Sequence, residues 1–202
     1  MITTVLFDLG QVLVQWDPYQ AFAGRHEPSE VDAFFQAIDF PAFNHLQDAG
    51  RTWADARAEL SRTHPDHVAM LDVYTERFAD SVIGEVPGAS ALVGDLVEAG
   101  VRVLGLSNWS AETFHVAGSK APVVTMLEDV LVSGQVGLAK PDPRIFRLAV
   151  ERFGLNPTET LFTDDVERNV AAARAEGFVA EVFTGSGALR DRLTGLGVPL
   201  RR

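Results

Sequence analysis

The chain contains no cysteine, which excludes a disulfide scaffold and any thiolate-ligated zinc site. Lysine is nearly absent as well: of 17 basic residues only Lys120 and Lys140 are lysines, so a basic surface position in this chain is almost always filled by arginine. A lysine here needs a local reason. Acidic residues number 28, giving a formal net charge of −11, and the longest basic feature is the terminal pair Arg201 and Arg202. Such a balance repels nucleic acid and anionic membrane surfaces, so neither is expected as a partner. No apolar run approaches the roughly 18 residues of a membrane span, and Met1 leads straight into a strand rather than into a basic stretch with a long apolar segment. These absences fit a soluble cytoplasmic protein.

What is present is an ordinary globular composition, 47% hydrophobic and 22% charged over 202 residues, enough to bury a core and to argue against disorder. Thr3–Asp8 (TTVLFD) is a short apolar run closed by Gly10, which predicts a buried strand with a carboxylate at its C-terminal tip. From Pro18 to about Ser81 the pattern turns helical: Thr52 can cap a helix through Thr63, and a further helix is predicted over Asp66–Val82. Phe34, Phe35, Phe40 and Phe43 read as the core of this stretch, and His26, His45, His64 and His67 as ordinary packed or solvated residues.

After the Pro-Gly punctuation in Glu85–Ser90, strand and helix alternate. Strands are predicted at Val101–Ser107, Asp129–Ser133, Thr160–Asp164 and Val179–Phe183. Helices fall between them, notably Pro143–Phe153 with Asp142 as cap and a helix from Glu167 to Glu176. Alternation of this kind implies an α/β fold, a Rossmann-like parallel sheet covered by helices on both faces. The expected division is a core of residues 1–14 and 87–202 interrupted by an all-helical insert, 15–86. Ligands of open α/β sheets sit beyond the carboxyl ends of the strands. There the sequence places Asp8, Ser107-Asn108 and Asp164-Asp165, with Lys140 in a loop ahead of a helix. Three carboxylates offset by one lysine and one divalent cation give a site near neutrality, suited to oxygen-loving Mg²⁺ and to a phosphate ester.

The segments FDLGQVLV (7–14), GLSNW (105–109), GLAKPDPRIF (137–146) and FTDDVERNVAAA (162–173) resemble, in order, the four motifs of haloacid dehalogenase-type hydrolases. The helical insert is similar to the mobile cap of that family. The resemblance implies that Asp8 is a nucleophile forming an aspartyl-phosphate, that Ser107 and the backbone around Asn108 hold phosphoryl oxygens, and that Lys140 offsets charge on nucleophile and phosphate. It further implies metal ligation by the Asp8 side chain, the Gly10 carbonyl and the acidic pair, Asp165 directly and Asp164 through water, with Asn169 orienting the pair from one helical turn along. Trp16 and Asp17, where the insert leaves the core, are candidates to line the substrate entrance or to pack the hinge.

Position 10 departs from the family pattern. Most of its phosphatases carry there a second aspartate that protonates the leaving group, whereas this chain has Gly10, and Gln11 beside it is an amide. The reading FDLGxV is similar to a subgroup that includes α-D-glucose-1-phosphate phosphatase, so a sugar phosphate, whose hemiacetal oxygen needs little help to leave, is the expected substrate. Two rivals stand beside this expectation. A 2-haloacid dehalogenase would need no metal, which the Asp164-Asp165 pair argues against, and a non-catalytic phosphate-ester binder is motivated by Gly10 itself. A phospho-receiver module places its acidic pair on the first strand, the reverse of the order here, and a nicotinamide enzyme would carry G-x-G-x-x-G after that strand.

Overall fold

Seven strands form along the chain: β1 (Thr4–Phe7), β2 (Val14–Trp16), β3 (Val82–Glu85), β4 (Arg102–Ser107), β5 (Val130–Val132), β6 (Thr160–Asp164) and β7 (Val179–Val182). They are seen in a computed structural model that describes residues 1–200; the basic pair Arg201 and Arg202 lies outside the described residues. Five of them make one sheet in the order β5-β4-β1-β6-β7, every pairing parallel. β1 lies at its centre because all four of its residues are apolar or β-branched and all four are buried. Side chains alternate across the sheet. Val5 and Phe7 join the core on one face, and Leu6 joins Leu104, Leu106 and Phe162 on the other.

Helices cover both faces. Ile145, Phe146, Ala149 and Phe153 of helix Pro143–Phe153, with Val170 and Ala173 of helix Glu167–Ala175, pack on the Leu6 face. Leu92, Val93 and Leu96 of helix Ala89–Glu98, with Leu189 and Leu193 of helix Ser186–Gly195, pack on the Val5 face. The first of these starts where its sequence says it should: the Asp142 carboxylate accepts from the Arg144 N–H, Pro143 occupies the first turn, and Gly154 ends the helix in the left-handed region. Among the described residues no helix is long and apolar enough to cross a membrane.

Between β2 and β3 the chain is helical, with helices Pro28–Ile38, Phe40–Asp48, Trp53–Thr63 and Val68–Glu76. Thr52 caps the third by accepting from Asp55 N–H. The middle of this segment is aromatic: Tyr74, fully buried, meets Phe40 edge-on at 5.3 Å and Trp53 at 5.7 Å, and stacks on Phe22 at 6.1 Å.

The structure corrects two expectations. The helix predicted over Asp66–Val82 is broken: a short 3-10 turn precedes Val68–Glu76, Arg77 leaves helical geometry, a single turn covers Phe78–Ser81, and Val82 begins a strand. That strand, β3, pairs antiparallel with β2, Val14 opposite Glu85 and Trp16 opposite Val82. This two-stranded ribbon carries both chain crossings into and out of the helical segment, and it straddles the expected boundary at 14/15. Neither strand announces itself locally, since each is three or four residues long and exists only through a partner far along the chain.

Gly134 shows how tightly the loop after β4 is held. A Cβ at this position would lie 2.5 Å from Ala111 N and 2.7 Å from the Trp109 carbonyl oxygen, both backbone atoms. Gly134→Ala is expected to cost about 1–3 kcal/mol through that overlap. Denaturant unfolding checks it, and an unchanged midpoint would contradict the packing described.

Candidate active site

Because β4, β1 and β6 are adjacent and parallel, the residues at their carboxyl ends converge without any long-range device. Asp8 follows β1, its N–H donating to the Thr163 carbonyl (2.9 Å) as a continuation of the ladder. Ser107 ends β4, Asp164 ends β6, and Asp165 comes next. Lys140 arrives from the loop before helix Pro143–Phe153 and is clasped by Asn108. The Asn108 Nδ2 donates to the Lys140 carbonyl (2.9 Å), and its Oδ1 accepts from the Lys140 N–H (2.8 Å).

At the floor Lys140 Nζ lies 2.8 Å from Asp8 Oδ1 and 2.6 Å from Asp164 Oδ2, and its side chain is wholly buried. Burial works to lower the Lys140 pKa, but Asp8 and Asp164 together override it and hold the ammonium above its usual value. Burial pushes the Asp8 carboxyl up to about 7 against the pull of Lys140, with the charge of Asp164 acting in the same direction as burial. Asp164 is saturated. Asn169 Nδ2 donates to both Asp164 oxygens (3.0 Å each), Oδ2 also accepts from Lys140 Nζ, and Oδ1 from Val166 N–H (2.8 Å). Asp165 is exposed, and its pKa is raised by partial burial and by Asp164. Ligand atoms of Asp8, Asp164 and Asp165 all lie within 4.8 Å of one another, a donor set of hard carboxylate oxygens that one lysine does not neutralise and that a divalent cation fits.

The floor opens into a cleft of about 970 Å³ lined by Asp8, Gly10, Asn108, Lys140 and Asp165. The opposite wall comes from β2 and the helical segment, including Trp16, Tyr19, Phe35, Phe40 and Asn44. Trp16 both lines the cleft and stacks on Phe40 at 6.4 Å. Ser107 Oγ is buried at the strand end with no hydrogen-bond partner in the protein, and Ser107 is not among the residues that line the cleft. Gln11 adopts a left-handed φ of 58° and spends its amide on the Trp16 carbonyl (2.7 Å). Asp17 is a cap, accepting from Tyr19 N–H (3.0 Å) and Gln20 Nε2 (2.9 Å), and is not among the residues lining this cleft.

Some lining residues were not legible in the sequence. His45, read there as ordinary, lines the large cleft together with Arg168 and Asp48. The one available signal was spacing: Pro41, Asn44 and Asp48 at i, i+3 and i+7 form a single face of helix Phe40–Asp48.

The family model for haloacid dehalogenase-like hydrolases matches residues 2–177. Hexitol phosphatase A of Escherichia coli is 32% identical over 186 residues, 85% of this chain and 78% of that protein. Phosphatase MT3486 of Mycobacterium tuberculosis is 42% identical over 136 residues, 67% of this chain and 57% of its own. The chain spans smaller parts of two multidomain-length relatives, 38% of drimenol cyclase drtB of Aspergillus calidoustus and 19% of mouse acyl-CoA dehydrogenase family member 10. Among solved structures, the wild-type HAD-family enzyme BT-2542 of Bacteroides thetaiotaomicron, in complex with magnesium and inorganic phosphate, superposes with a TM-score of 0.73 at 24% identity. It covers 92% of this chain and 96% of its own. A dehalogenase in an intermediate complex gives 0.73 at 18% identity over 95% and 96%. With its central aspartate, its lysine and its acidic pair at the ends of a five-stranded parallel sheet, and a family match across nearly nine-tenths of its length, the chain belongs to the haloacid dehalogenase-like hydrolases.

Proposed function

We propose that this hydrolase is a Mg²⁺-dependent phosphatase that cleaves a small phosphorylated metabolite, a sugar phosphate, through an aspartyl-phosphate on Asp8. The observation that carries the reading is the Asp8–Lys140–Asp164 ion triad at the cleft floor with Asp165 beside it. Asp8 faces the cleft as the nucleophile, while the buried Lys140 ammonium fixes its orientation and lowers the charge an incoming dianion meets. The Ser107 hydroxyl, unpartnered at the end of the strand beside Asp8, is the donor this reading assigns to a phosphoryl oxygen. Mg²⁺ held by Asp8, Asp165 and the Gly10 carbonyl would neutralise and polarise the phosphoryl group. Asp164, whose oxygens are already engaged, steadies Lys140 and reaches the metal only through water. The helical segment serves as a cap carried on the β2–β3 ribbon. Aromatic rings at Trp16, Tyr19 and Phe40 alternating with Asp32, Gln36 and Asn44 suit the apolar faces and hydroxyl edges of a sugar.

The test is phosphate release from a panel of phosphorylated sugars and other metabolites, with Mg²⁺ and then with chelator. Release that stops in chelator is the expected outcome, with glycosyl 1-phosphates and other sugar phosphates ranking highest. Halide release from 2-haloacids that survives chelator would establish the dehalogenase reading instead. Saturable ester binding with no turnover would establish the binding-only reading.

A further inference from the structure

Resting on the phosphatase reading, we infer that Asp48, at the end of helix Phe40–Asp48, is the proton donor to the leaving-group oxygen, a task that no group on the floor can perform. The floor offers three carboxylates, and each is committed: Asp8 to phosphorus, Asp164 to Lys140 and Asn169, Asp165 to the cation site. Gly10 has no side chain, although a Cβ there would meet nothing within 4 Å, so steric crowding does not account for the missing acid. Gln11 is tied to the Trp16 carbonyl. An acid must therefore come from the facing wall.

That wall holds three carboxyls, Asp32, Asp39 and Asp48, and the imidazole of His45, which is exposed and lines the large cleft only. Asp32 is exposed and accepts from the Tyr19 hydroxyl (2.7 Å), and Asp39 is exposed. Of these only Asp48 also lines a second, smaller cavity of about 100 Å³, to which Gly10 and Asn108 contribute as well. Trp53 lines the same small cavity, and its indole N–H is buried without a partner, a donor waiting for an oxygen or a water there.

The position of Asp48 is held against the core. Two residues on, Gly50 (φ +102°) abuts the core loop so closely that a Cβ on it would lie 3.4 Å from Gly137 Cα and 3.5 Å from the Gly134 carbonyl oxygen. That same core loop leads into Lys140. The carboxyl also sits at the C-terminal end of its helix, where the macrodipole disfavours an anion and so favours the protonated acid. It accepts from Asn44 Nδ2 at a long 3.3 Å. Burial raises its pKa to about 7, with Lys140 pulling the other way.

The chemistry balances. An Asp8 oxygen bonds to phosphorus, and the ester P–O bond breaks. Its electron pair stays on the leaving oxygen, which takes the proton from Asp48 and departs as the alcohol. Asp48, now a carboxylate, then removes a proton from a water whose oxygen attacks the aspartyl-phosphate. The P–O bond to Asp8 breaks, releasing phosphate and restoring both groups.

The test compares two esters on one preparation, so that the ratio is independent of the folded fraction. 4-Nitrophenyl phosphate releases a stable phenolate that needs no proton, whereas a sugar phosphate that leaves as an ordinary alcohol, rather than as a hemiacetal, needs one most. Asp48→Asn is expected to lower kcat/KM by about 10²–10⁴-fold on sugar phosphates that leave as an ordinary alcohol and much less on 4-nitrophenyl phosphate, with glycosyl 1-phosphates between them. Gly10→Asp added to Asp48→Asn should recover part of the lost activity, because position 10 has room for the new carboxyl. Asp48→Ser gives a second variant judged by the same ratio. Equal losses on both ester classes, or no loss on either, would overturn the assignment of Asp48 while leaving a Mg²⁺-dependent wild type as a phosphatase. A wild type that releases no phosphate from any ester would overturn both readings.

Discussion

Asp8→Asn is expected to eliminate phosphate release, by about 10⁴-fold or more, the scale of loss seen when the nucleophile of a covalent mechanism is removed. The substitution is nearly isosteric, so the loss is chemical rather than structural. An asparagine oxygen can still accept the Leu9 N–H bond that Asp8 Oδ1 takes at 2.7 Å, and Lys140 keeps its 2.6 Å contact with Asp164. What disappears is a carboxylate able to bond phosphorus, and one of the charges that hold the cation. The variant should therefore fold, and in metal-free buffer it should melt at or above the wild-type temperature, because the buried Asp8 carboxyl is only partly compensated there. Calorimetry beside the phosphate assay reads both. A variant that retains more than a few per cent of turnover, well folded and with Mg²⁺ present, would rule out Asp8 as nucleophile.

Lys140→Met carries the second large effect, and this one is structural as well as catalytic. Lys140 touches two buried carboxylates, and removing one partner of a buried ion pair typically costs about 3–5 kcal/mol because the other charge is left uncompensated. For a chain of this length that corresponds to a fall in Tm of roughly 6–20 °C. Mg²⁺ should restore part of the loss, since a divalent cation held by Asp8 and Asp165 beside Asp164 supplies positive charge to the same cluster, and ligand binding to the native state stabilises it by mass action. Thermal melts of wild type and variant, each with Mg²⁺ and with chelator, give the four numbers needed. If the variant melts with the wild type in chelator, the triad contributes nothing to folding. Mg²⁺ stabilising both proteins equally would mean that the cation and the lysine do not share the cluster.

The chain's own pattern was sufficient for the local elements of the sheet core. The caps at Asp142 and Thr52 bracket helices that begin where those residues predict, and the apolar runs at Thr160–Asp164 and Val179–Phe183 became β6 and β7 within a residue. Parallel order then brought Asp8, Ser107 and Asp164 together, because residues at the carboxyl ends of neighbouring parallel strands must share one edge. Lys140 was legible for a different reason: in a chain that so avoids lysine, one beside a proline and a helix cap stood out.

The β2–β3 ribbon, the break at Arg77, the clasp of Asn108 on Lys140 and the approach of Asp48 to the cleft depend on residues distant in sequence. By itself, then, the sequence determined the strands of the five-stranded sheet, the helix starts and the residue types at the strand ends, since these follow from periodicity, capping and backbone preference over a few neighbours. Tertiary structure alone decided which carboxylate is saturated, which hydroxyl is left unpartnered and which acid faces the floor. Those outcomes turn on burial and on distances of a few ångströms between elements, set by the packing of Gly50 on Gly137 and of the aromatic cluster around Tyr74 rather than by any local pattern.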